Sequence, residues 1–319
     1  RMRLTSLAAL AAAAFLVAAP AQAQMKKSIT LGTEGAYAPW NMTDASGKIV
    51  GFEIDLAADI CARMKVECKF VAQDWDGMIP ALNAGKFDGI LAGMSITEER
   101  EKQIAFTDAY ANGPNGLETT KSSPLAKLPG AGTVINISKD PEGAQKAIDA
   151  MKPLLKGKTI GVQSSTTNAN FVEKYFKGVV EMREYKTVEQ HDLDLQAGRV
   201  DANFLNRRTA ADLAKPEYKD LAQVGTYFVG GVLGRGVGVG LRKADTELKE
   251  AFNVAIKASI ADGVVKKLSE KYFGFDLTLE DLSQLSDRVT GRLSAAGKAA
   301  GSDGLIGLTF GADITNGSV

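Results

Sequence analysis

Two residues that could hold an anion, Ser95 and Arg100, lie close together after a predicted buried strand. Residues 88–94 form a short apolar run, and residues 95–100 (SITEER) are typical of a strand end that turns into a helix. A guanidinium holds a carboxylate through two parallel hydrogen bonds, and free amides at a helix start attract anions. This stretch therefore predicts a carboxylate site. The alternative is a helix N-cap followed by a solvated turn.

A second stretch repeats the order of strand, hydroxyl cluster and helix. Residues 158–163 predict a buried strand, and Ser165 and Thr166 lie in the hydroxyl run before a helix predicted over about 168–176. Residues 193–199 predict a further helix, and Asn206 follows another predicted strand, over 201–205. Ligands of open α/β sheets lie at the carboxyl ends of the strands, so these residues are candidates for the same site. The hydroxyl run is also compatible with a helix cap.

Two aromatic residues, Tyr37 and Trp75, lie in predicted loops at strand ends. Large aromatic rings can sandwich a flat cation such as a guanidinium. Glu34, three residues before Tyr37, could hold the same cation by its edge. These residues therefore predict a site for a guanidinium. The alternative is two core aromatics and a solvated acid.

The elements around these residues alternate between strand and helix, which favours parallel βαβ units with helices on both faces. Turn-forming residues at 110–116 and glycines at 227–240 predict two crossings between two α/β lobes. We expect lobe one to comprise residues 28–112 and 232–278, and lobe two residues 117–227. Two lobes joined by two strands can open and close around a cleft.

Both ends of the chain differ from this pattern. The apolar run over 7–19, followed by Ala-Gln-Ala at 21–23, predicts a secretory signal cleaved after Ala23. We expect the mature chain to be a soluble exported protein. Residues 279–319 are predicted to be a disordered or non-native extension, since their Gly, Ala and Ser content cannot bury a core.

Composition and cysteines limit the chemistry further. Lys plus Arg and Asp plus Glu both number 38, so no basic surface for nucleic acid is expected. Cys61 and Cys68 would travel to an oxidising compartment, and we expect a disulfide between them. Metal binding is the weaker interpretation, because the only histidine, His191, is far away and is expected on the surface or in a secondary shell. No cofactor, metal or catalytic set is predicted.

Several segments in fixed order resemble one family. From residue 28 to 278 the chain resembles the periplasmic polar amino acid binding proteins, which are solute receptors of ABC importers. The similar members bind lysine, arginine and ornithine, histidine, octopine or nopaline. The resemblance implies a bilobal fold of type II, a ligand carboxylate on Arg100, and contacts from Ser95 and Thr166. The matching segments are TEGAYAPWN, GFEIDLA, the cysteine pair, VAQDWDGMIPAL, MSITEER, GVQSSTT, QAGRVDA and GVGVGLRKADTELK.

The chain departs from the binders of free basic amino acids at two places. Ala92 and Gly93 stand where those proteins carry two serines, and Asn206 stands where they carry an aspartate. At both places the chain is more like the opine binders. The small residues Ala92 and Gly93 predict room for a larger ligand, and Asn206 leaves the ligand's amine without a carboxylate of the protein as its partner. The complete expected ligand-binding set is Glu34, Tyr37, Trp75, Ala92, Gly93, Met94, Ser95, Arg100, Ser165, Thr166 and Asn206.

The expected function is a monomeric periplasmic receptor that captures a basic amino acid or an arginine-derived opine and delivers it to an inner-membrane permease. The alternative is a periplasmic enzyme of the dehydratase type on a similar fold. A sensor domain is a third possibility. The residues named for the cleft suit the holding of ions better than proton transfer, which favours the receptor.

Overall fold

The computed structural model describes residues 26–208 and 210–278 of the 319 residues. The predicted signal segment, 1–23, and the predicted extension, 279–319, lie outside the described residues. The strands in chain order are β1 (Ser28–Thr33), β2 (Ala36–Tyr37), β3 (Asn41–Thr43), β4 (Ile49–Val50), β5 (Glu67–Ala72), β6 (Gly89–Ile90), β7 (Ala105–Phe106), β8 (Asn115–Thr120), β9 (Val134–Asn136), β10 (Thr159–Gln163), β11 (Glu181–Tyr185), β12 (Ala202–Asn206), β13 (Leu221–Val229) and β14 (Gly240–Leu241).

The helices lie between these strands, as the alternating pattern predicts. In chain order they are α1 (Phe52–Met64), α2 (Met78–Asn83), α3 (Glu98–Glu101), α4 (Pro141–Leu155), α5 (Thr167–Phe176), α6 (Val188–Gln196), α7 (Ala210–Leu213), α8 (Thr246–Ala261) and α9 (Val264–Phe273). None of the helices within the described ranges is long and apolar enough to cross a membrane.

Two large sheets divide the molecule into two α/β lobes. The first lobe is built on a sheet with the strand order β5-β1-β6-β14-β7, and the second on a sheet with the order β11-β10-β12-β8-β13-β9. Strands β2, β3 and β4 form a small separate sheet. The predicted two-lobed α/β fold is therefore confirmed.

The expectation of parallel sheets is only partly correct. Strand β1 is parallel to β5 and β6, and β10 is parallel to β11 and β12. However, β14 is antiparallel to its neighbours in the first sheet, and β8 is antiparallel to its neighbours in the second. Both strands enter a lobe directly from the other lobe, without the crossover helix that joins parallel neighbours.

The two segments that cross between the lobes lie side by side. The chain leaves the first sheet after β7 and reaches the second at β8, and it returns between β13 and β14. In between, Val237 donates its N–H to the carbonyl of Ala111 at 2.8 Å, and Tyr110 donates to the carbonyl of Val237 at 2.9 Å. These paired crossings form the predicted double hinge, where a few backbone rotations can move one lobe relative to the other.

Each lobe has its own hydrophobic core. In the first lobe, Phe52 and Phe273 pack on one face of the sheet, and Phe87 and Phe106 belong to a second cluster. In the second lobe the largest cluster includes Phe171, which stacks on Phe204 with 4.5 Å between ring centroids. Because the main apolar clusters are separate, each lobe can remain packed while the hinge moves.

The disulfide prediction is confirmed. Cys61 near the end of α1 is bonded to Cys68 in β5, with their Cα atoms 6.1 Å apart. This bond fastens the first helix of the lobe to the edge strand of its sheet.

Two predicted elements differ from the structure. The helix expected over 193–199 is Val188–Gln196, and the strand expected over 88–94 is limited to Gly89–Ile90. Thr187 begins the helix, because its Oγ1 accepts a hydrogen bond from Gln190 N at 3.3 Å. The earlier start places His191 in the first half of a helix, where it is fully buried.

Candidate ligand-binding cleft

A cavity lies between the two lobes at the carboxyl ends of the central strands. Its volume is about 40 Å³. A water molecule needs about 10–15 Å³ on the same measure, so the cavity as it stands could hold roughly three waters. A solute as large as an amino acid would require the lobes to separate. The polar and aromatic residues that line it are Glu34, Tyr37, Trp40, Trp75, Ser95, Arg100, Asn112, Asn115, Gln163, Thr166, Thr167, Asn168, His191, Phe204 and Asn206.

Most of the residues predicted from the sequence lie on this cavity. The residues that line it are Glu34, Tyr37, Trp75, Ala92, Gly93, Ser95, Arg100, Thr166 and Asn206. Met94 was expected to contact the ligand, but it does not line the cavity. Its side chain is 1% exposed and packs in a core cluster of the first lobe with Ile90 and Phe106. Ser165 does not line the cavity either, but its backbone carbonyl lies at the cleft, where it accepts hydrogen bonds from Trp75 and Arg100.

Arg100 brings a positive charge to the cavity. Its Nη1 donates to the carbonyl of Ser95 at 2.9 Å, and its guanidinium lies 5.2 Å from the ring centroid of Trp75. Thr97 begins the short helix α3, and its Oγ1 accepts from Arg100 N at 3.3 Å. Within the described parts of the chain, no carboxylate forms an ion pair with this guanidinium.

Desolvation explains why the Arg100 guanidinium would be stabilised by an anion. Removal of water lowers the pKa of Arg100 to about 10, with no neighbouring acid that offsets the effect. A desolvated cation is stabilised by an anion that forms charge-assisted hydrogen bonds with it. The guanidinium can therefore accept a carboxylate that enters the cleft.

The start of α5 faces the same cavity from the second lobe. Thr166 is its N-cap, and its Oγ1 accepts from Ala169 N at 3.2 Å and donates to the carbonyl of Gln163 at 2.6 Å. The hydroxyl is thus already occupied by the cap. Thr167 and Asn168 also line the cavity, so the first turn of a ten-residue helix is directed toward it. Amides at such a start, together with the helix dipole, favour an anion.

Glu34 brings a negative charge to the cavity. Its side chain is buried, Oε1 accepts from Gln163 Nε2 at 2.6 Å, and Oε2 has no hydrogen-bond partner in the part of the chain that the structure describes. Burial, together with the nearby carboxylates of Asp74 and Asp76, raises the pKa of Glu34 to about 7, although the hydrogen bond from Gln163 lowers it. A carboxylate in this position is stabilised by a cation, because a cation offsets both the desolvation and the repulsion.

Tyr37 and Trp75, the predicted sandwich, each contact a different partner. The ring of Tyr37 stacks along Trp40, with 6.3 Å between centroids and an interplanar angle of 11°. Trp75 instead lies under the guanidinium of Arg100. Both rings line the cavity, so a ligand cation between them would displace Arg100 from the face of Trp75 or use the opposite face.

Gly93 does not leave the open space that the sequence predicted. Its φ is +61°, and a Cβ at this position would lie 2.7 Å from Cε1 of Tyr37. The tyrosine ring occupies the space that a serine side chain would take. The missing side chain therefore positions Tyr37 against the backbone.

Glu53 supports this glycine and was not found from the sequence as part of the site. The carboxylate is fully buried at the start of α1, where Oε1 accepts from Gly93 N at 2.7 Å and from the hydroxyl of Tyr110. Oε2 accepts from Asn41 Nδ2 at 2.7 Å. The available signal was that Glu53 precedes the apolar Leu56 and Ala57 by three and four residues, which places it on the same face of a helix, and buried acids need such partners.

The two lobes contact each other directly across the cleft. The carbonyl of Ser165 accepts from Trp75 Nε1 at 3.2 Å and from Arg100 Nη2 at 3.3 Å. Ser165 has φ of 57°, which is uncommon for a residue with a side chain and directs this carbonyl toward the first lobe. Asn206 Oδ1 accepts from Trp40 Nε1 at 3.4 Å. The lobes are therefore closed, with protein groups on the atoms that a ligand would use.

His191 corrects the expectation of a surface residue or secondary shell. Its side chain is fully buried and lines the cavity. The early start of α6 turns it toward the sheet of the second lobe, where Gly161 leaves room beside its Cβ. Trp40, Asn115 and Gln163 also line the cavity without having been predicted. Trp40 and Gln163 stood in the segments TEGAYAPWN and GVQSSTT, so a closer use of those segments could have found them.

One protein-family model matches residues 29–275 of this chain. It describes bacterial extracellular solute-binding proteins, family 3. The chain belongs to this family. Its family 3 relatives include the octopine-binding periplasmic protein of Rhizobium meliloti, which is 46% identical over 296 residues, 87% of this chain and 99% of the relative.

Two further members extend the comparison. The lysine/arginine/ornithine-binding periplasmic protein of Escherichia coli K12 is 36% identical over 269 residues, 82% of this chain and 93% of the relative. A solved structure of an ancestral arginine-binding protein bound to arginine is 32% identical, covers 78% of this chain and 99% of its own, and has a TM-score of 0.64. The family 3 proteins named here are binding proteins, and two of them are periplasmic.

Proposed function

We propose that this family 3 protein is the periplasmic receptor of an ABC importer and captures a guanidino compound that also carries a carboxylate. The preferred class is an arginine-derived opine such as octopine or nopaline, and arginine is the second choice. The ligand enters an open cleft, and the hinge then closes the two lobes around it. The closed complex delivers the ligand to a permease of the inner membrane.

One observation carries this proposal: among the described residues, the same cavity contains a desolvated guanidinium without a carboxylate partner and a buried carboxylate oxygen without a donor. Arg100 is the first and Glu34 is the second. A ligand with a carboxylate and a cation satisfies both groups at once. After the lobes have separated enough to admit it, the same ligand would replace the contacts of Ser165 with Arg100 and of Gln163 with Glu34, so the two lobes would close on the ligand and be joined through it.

The roles proposed for the other residues follow from their positions. The ligand carboxylate lies between Arg100 and the first turn of α5, which begins at Thr166. The guanidinium lies against Glu34, next to the rings of Tyr37 and Trp75. Residues that border the ligand through backbone or small side chains are Ala92, Gly93, Ser95 and Ser165.

The neutral Asn206 supports an opine over a free amino acid. A free ammonium in a closed cleft needs an anionic partner to offset its desolvation, and Asn206 carries no charge. In an opine the amine already has a second carboxylate beside it. The octopine-binding relative has the highest identity of the three proteins compared above, which supports the same class.

Calorimetric titration of the mature protein with octopine, nopaline, arginine, ornithine, lysine and histidine tests this function. We expect the two opines to bind more tightly than arginine, and the compounds without a guanidinium to bind weakly. Asn206→Asp should weaken the opines and strengthen arginine, because it adds a negative charge near the amine. A wild type that prefers lysine or arginine over both opines, in an order that Asn206→Asp leaves unchanged, would contradict the opine assignment.

Recovery of the ligand separates a receptor from an enzyme. A receptor returns each ligand unchanged and melts at a higher temperature with the ligand, because the ligand binds only the folded state. Chromatography of the ligands after prolonged incubation provides the measurement. Conversion of any of them would support the dehydratase alternative.

The same proposal includes the organisation of the chain. We infer that the first lobe comprises residues 28–112 and 232–278 and that the second comprises 117–227; the division into two sheets supports this, although β8 begins at Asn115 and β13 ends at Val229. We also infer export to the periplasm through the signal at 1–23 and action as a monomer. Mass spectrometry of the exported protein would locate the cleavage site, and light scattering would give the mass in solution.

A further inference from the structure

The cavity contains one buried polar ring that the proposed function does not use. His191 is 0% exposed, lines the cavity, and has no hydrogen-bond partner on either ring nitrogen among residues 26–208 and 210–278. A buried polar atom left without a partner is destabilising, and such atoms in native proteins usually contact a ligand or an ordered water. The imidazole therefore indicates a partner that enters the cavity.

The residue next to His191 determines which nitrogen is free for that partner. Asp192 Oδ1 lies 3.0 Å from Nδ1 of the histidine, out of line for a hydrogen bond. A carboxylate at this distance favours a proton on Nδ1, since two lone pairs would otherwise face each other. Nε2 of the neutral ring then carries a lone pair. The histidine consequently offers an acceptor, and its partner must be an N–H or O–H donor.

A buried network fixes the position of that aspartate. Arg208 donates from Nη2 to Asp192 Oδ2 and from Nε to Glu118 Oε2, the latter at 2.8 Å. Asn203 Nδ2 donates to Asp192 Oδ1 at 3.2 Å and to the backbone carbonyl of His191 at 3.1 Å. All of these side chains are buried. Asp192 is thus held beside the ring by groups that cannot move away without breaking an ion pair or a hydrogen bond.

The charge of this network favours a cationic donor. Arg208 carries one positive charge between two carboxyl groups, those of Asp192 and Glu118. With Asp192 ionised, the net charge of Arg208, Asp192 and Glu118 is zero when Glu118 is protonated and −1 when Glu118 is ionised. A neutral His191 adds no positive charge to this cluster. A ligand carboxylate would be repelled or left without a donor here, whereas an ammonium would be attracted.

From these contacts we propose that His191 accepts a hydrogen bond from the amine of the ligand, as part of a dyad with Asp192. This inference rests on the proposed function, because it assigns a partner to the ligand's amine, the charged group that neither Arg100 nor Glu34 binds. The dyad supplies an acceptor and not a full anionic partner, because Arg208 already pairs with Asp192, so the preference for an opine, whose amine carries its own carboxylate, is unchanged. The ligand class is thereby narrowed to guanidino carboxylates with a primary or secondary amine.

A pair of ligands that differ only in the amine provides the test. Arginine and 5-guanidinopentanoate share the guanidinium and the carboxylate, and only arginine has the amine. We expect the wild type to bind arginine about 10- to 100-fold more tightly, the usual range for a hydrogen bond to a charged group. His191→Phe should remove most of this preference by weakening arginine alone. His191→Gln, which keeps an acceptor, should retain part of it.

Two control variants separate this role from a structural one. Leu193→Ala changes an exposed residue of the same helix and should leave both affinities unchanged. Asn206→Ala tests the other candidate for the amine. If Asn206→Ala removes the preference for arginine while His191→Phe does not, the inference is wrong. It is also wrong if His191→Phe weakens both ligands by the same factor, which is the result expected of a residue that only shapes the cavity.

Because the chain contains a single histidine, the wild type can also be tested without any substitution. In protein labelled with ¹⁵N-histidine and free of an affinity tag, the two imidazole nitrogens give one set of signals. We expect a proton on Nδ1, and a change in the Nε2 shift with arginine but not with 5-guanidinopentanoate. An identical response to both ligands would overturn the inference. Binding of neither ligand, nor of octopine, would overturn the proposed function and this inference with it.

Discussion

A fall in pH from 8 to 6 is expected to weaken binding of a guanidinium ligand, because Glu34 loses its charge in this range. Burial and the neighbouring acids raise the pKa of Glu34 to about 7 in the protein without ligand. A guanidinium binds the ionised carboxylate, so the apparent Kd rises as the protonated fraction rises. For a pKa of about 7, the Kd is multiplied by about 1.1 at pH 8 and by about 11 at pH 6. The expected loss of affinity is therefore about tenfold.

Glu34→Gln isolates this effect. It removes the titrating group, so its affinity should be nearly independent of pH between 6 and 8, and at pH 8 it should be about 10- to 100-fold weaker than wild type. Glu99→Gln is the matched control, since it makes the same change at an exposed residue of the first lobe that pairs with Lys102. Calorimetry of the three proteins at pH 6, 7 and 8 provides the data. Equal slopes for wild type and Glu34→Gln would refute the assignment.

The stability of the unliganded protein should depend on pH in the opposite direction. The pKa of Glu34 lies above its ordinary value of 4.5, so the folded state favours the protonated form. The free energy of unfolding therefore decreases as the pH rises from about 4.5 to about 7, by up to roughly 3 kcal/mol from this residue. The gain in Tm from Glu34→Gln should then be larger at pH 8 than at pH 5. An equal gain at both pH values would show that the carboxyl has an ordinary pKa.

Three further predictions concern single residues. Arg100→Ala should weaken carboxylate ligands at least about 100-fold by calorimetry, and Arg100→Lys should restore little because the planar fork is lost; unchanged affinity in Arg100→Ala would refute the site. Gly93→Ala should lower the Tm more than Gly47→Ala, which has the same kind of backbone strain (φ of +83°) but no described neighbour within 4 Å, and Gly93→Ala alone should lower the affinity, through its contact with Tyr37. Reduction of the disulfide should cost about 2 kcal/mol yet leave binding intact; free thiols in untreated protein would contradict this.

The repeated arrangement of strand, polar cluster and helix was enough to predict the fold and most of the cavity lining. Both the Ser95–Arg100 stretch and the hydroxyl run around Thr166 lie at strand ends, and the topology of an open sheet brings such ends together. Met94 was misplaced because a residue next to a site in sequence can point to the opposite face of its segment, here into the core.

Contacts between distant segments could not be predicted in the same way. The space beside Gly93 is filled by a tyrosine from another loop, and that pairing depends on the tertiary arrangement. Likewise, His191 lies in the cavity because α6 begins five residues earlier than its apolar pattern indicated, after a threonine cap. Helix starts are set by individual hydrogen bonds, which periodicity does not reveal.

The central claim is that one ligand joins the charges of Arg100 and Glu34 across the closed cleft. A crystal structure of the protein with octopine tests it most directly. We predict the ligand guanidinium within hydrogen-bond distance of Glu34 Oε2, and a ligand carboxylate on the Arg100 guanidinium and the first turn of α5. A ligand bound in the reverse orientation, or outside the cleft between the lobes, would contradict the claim.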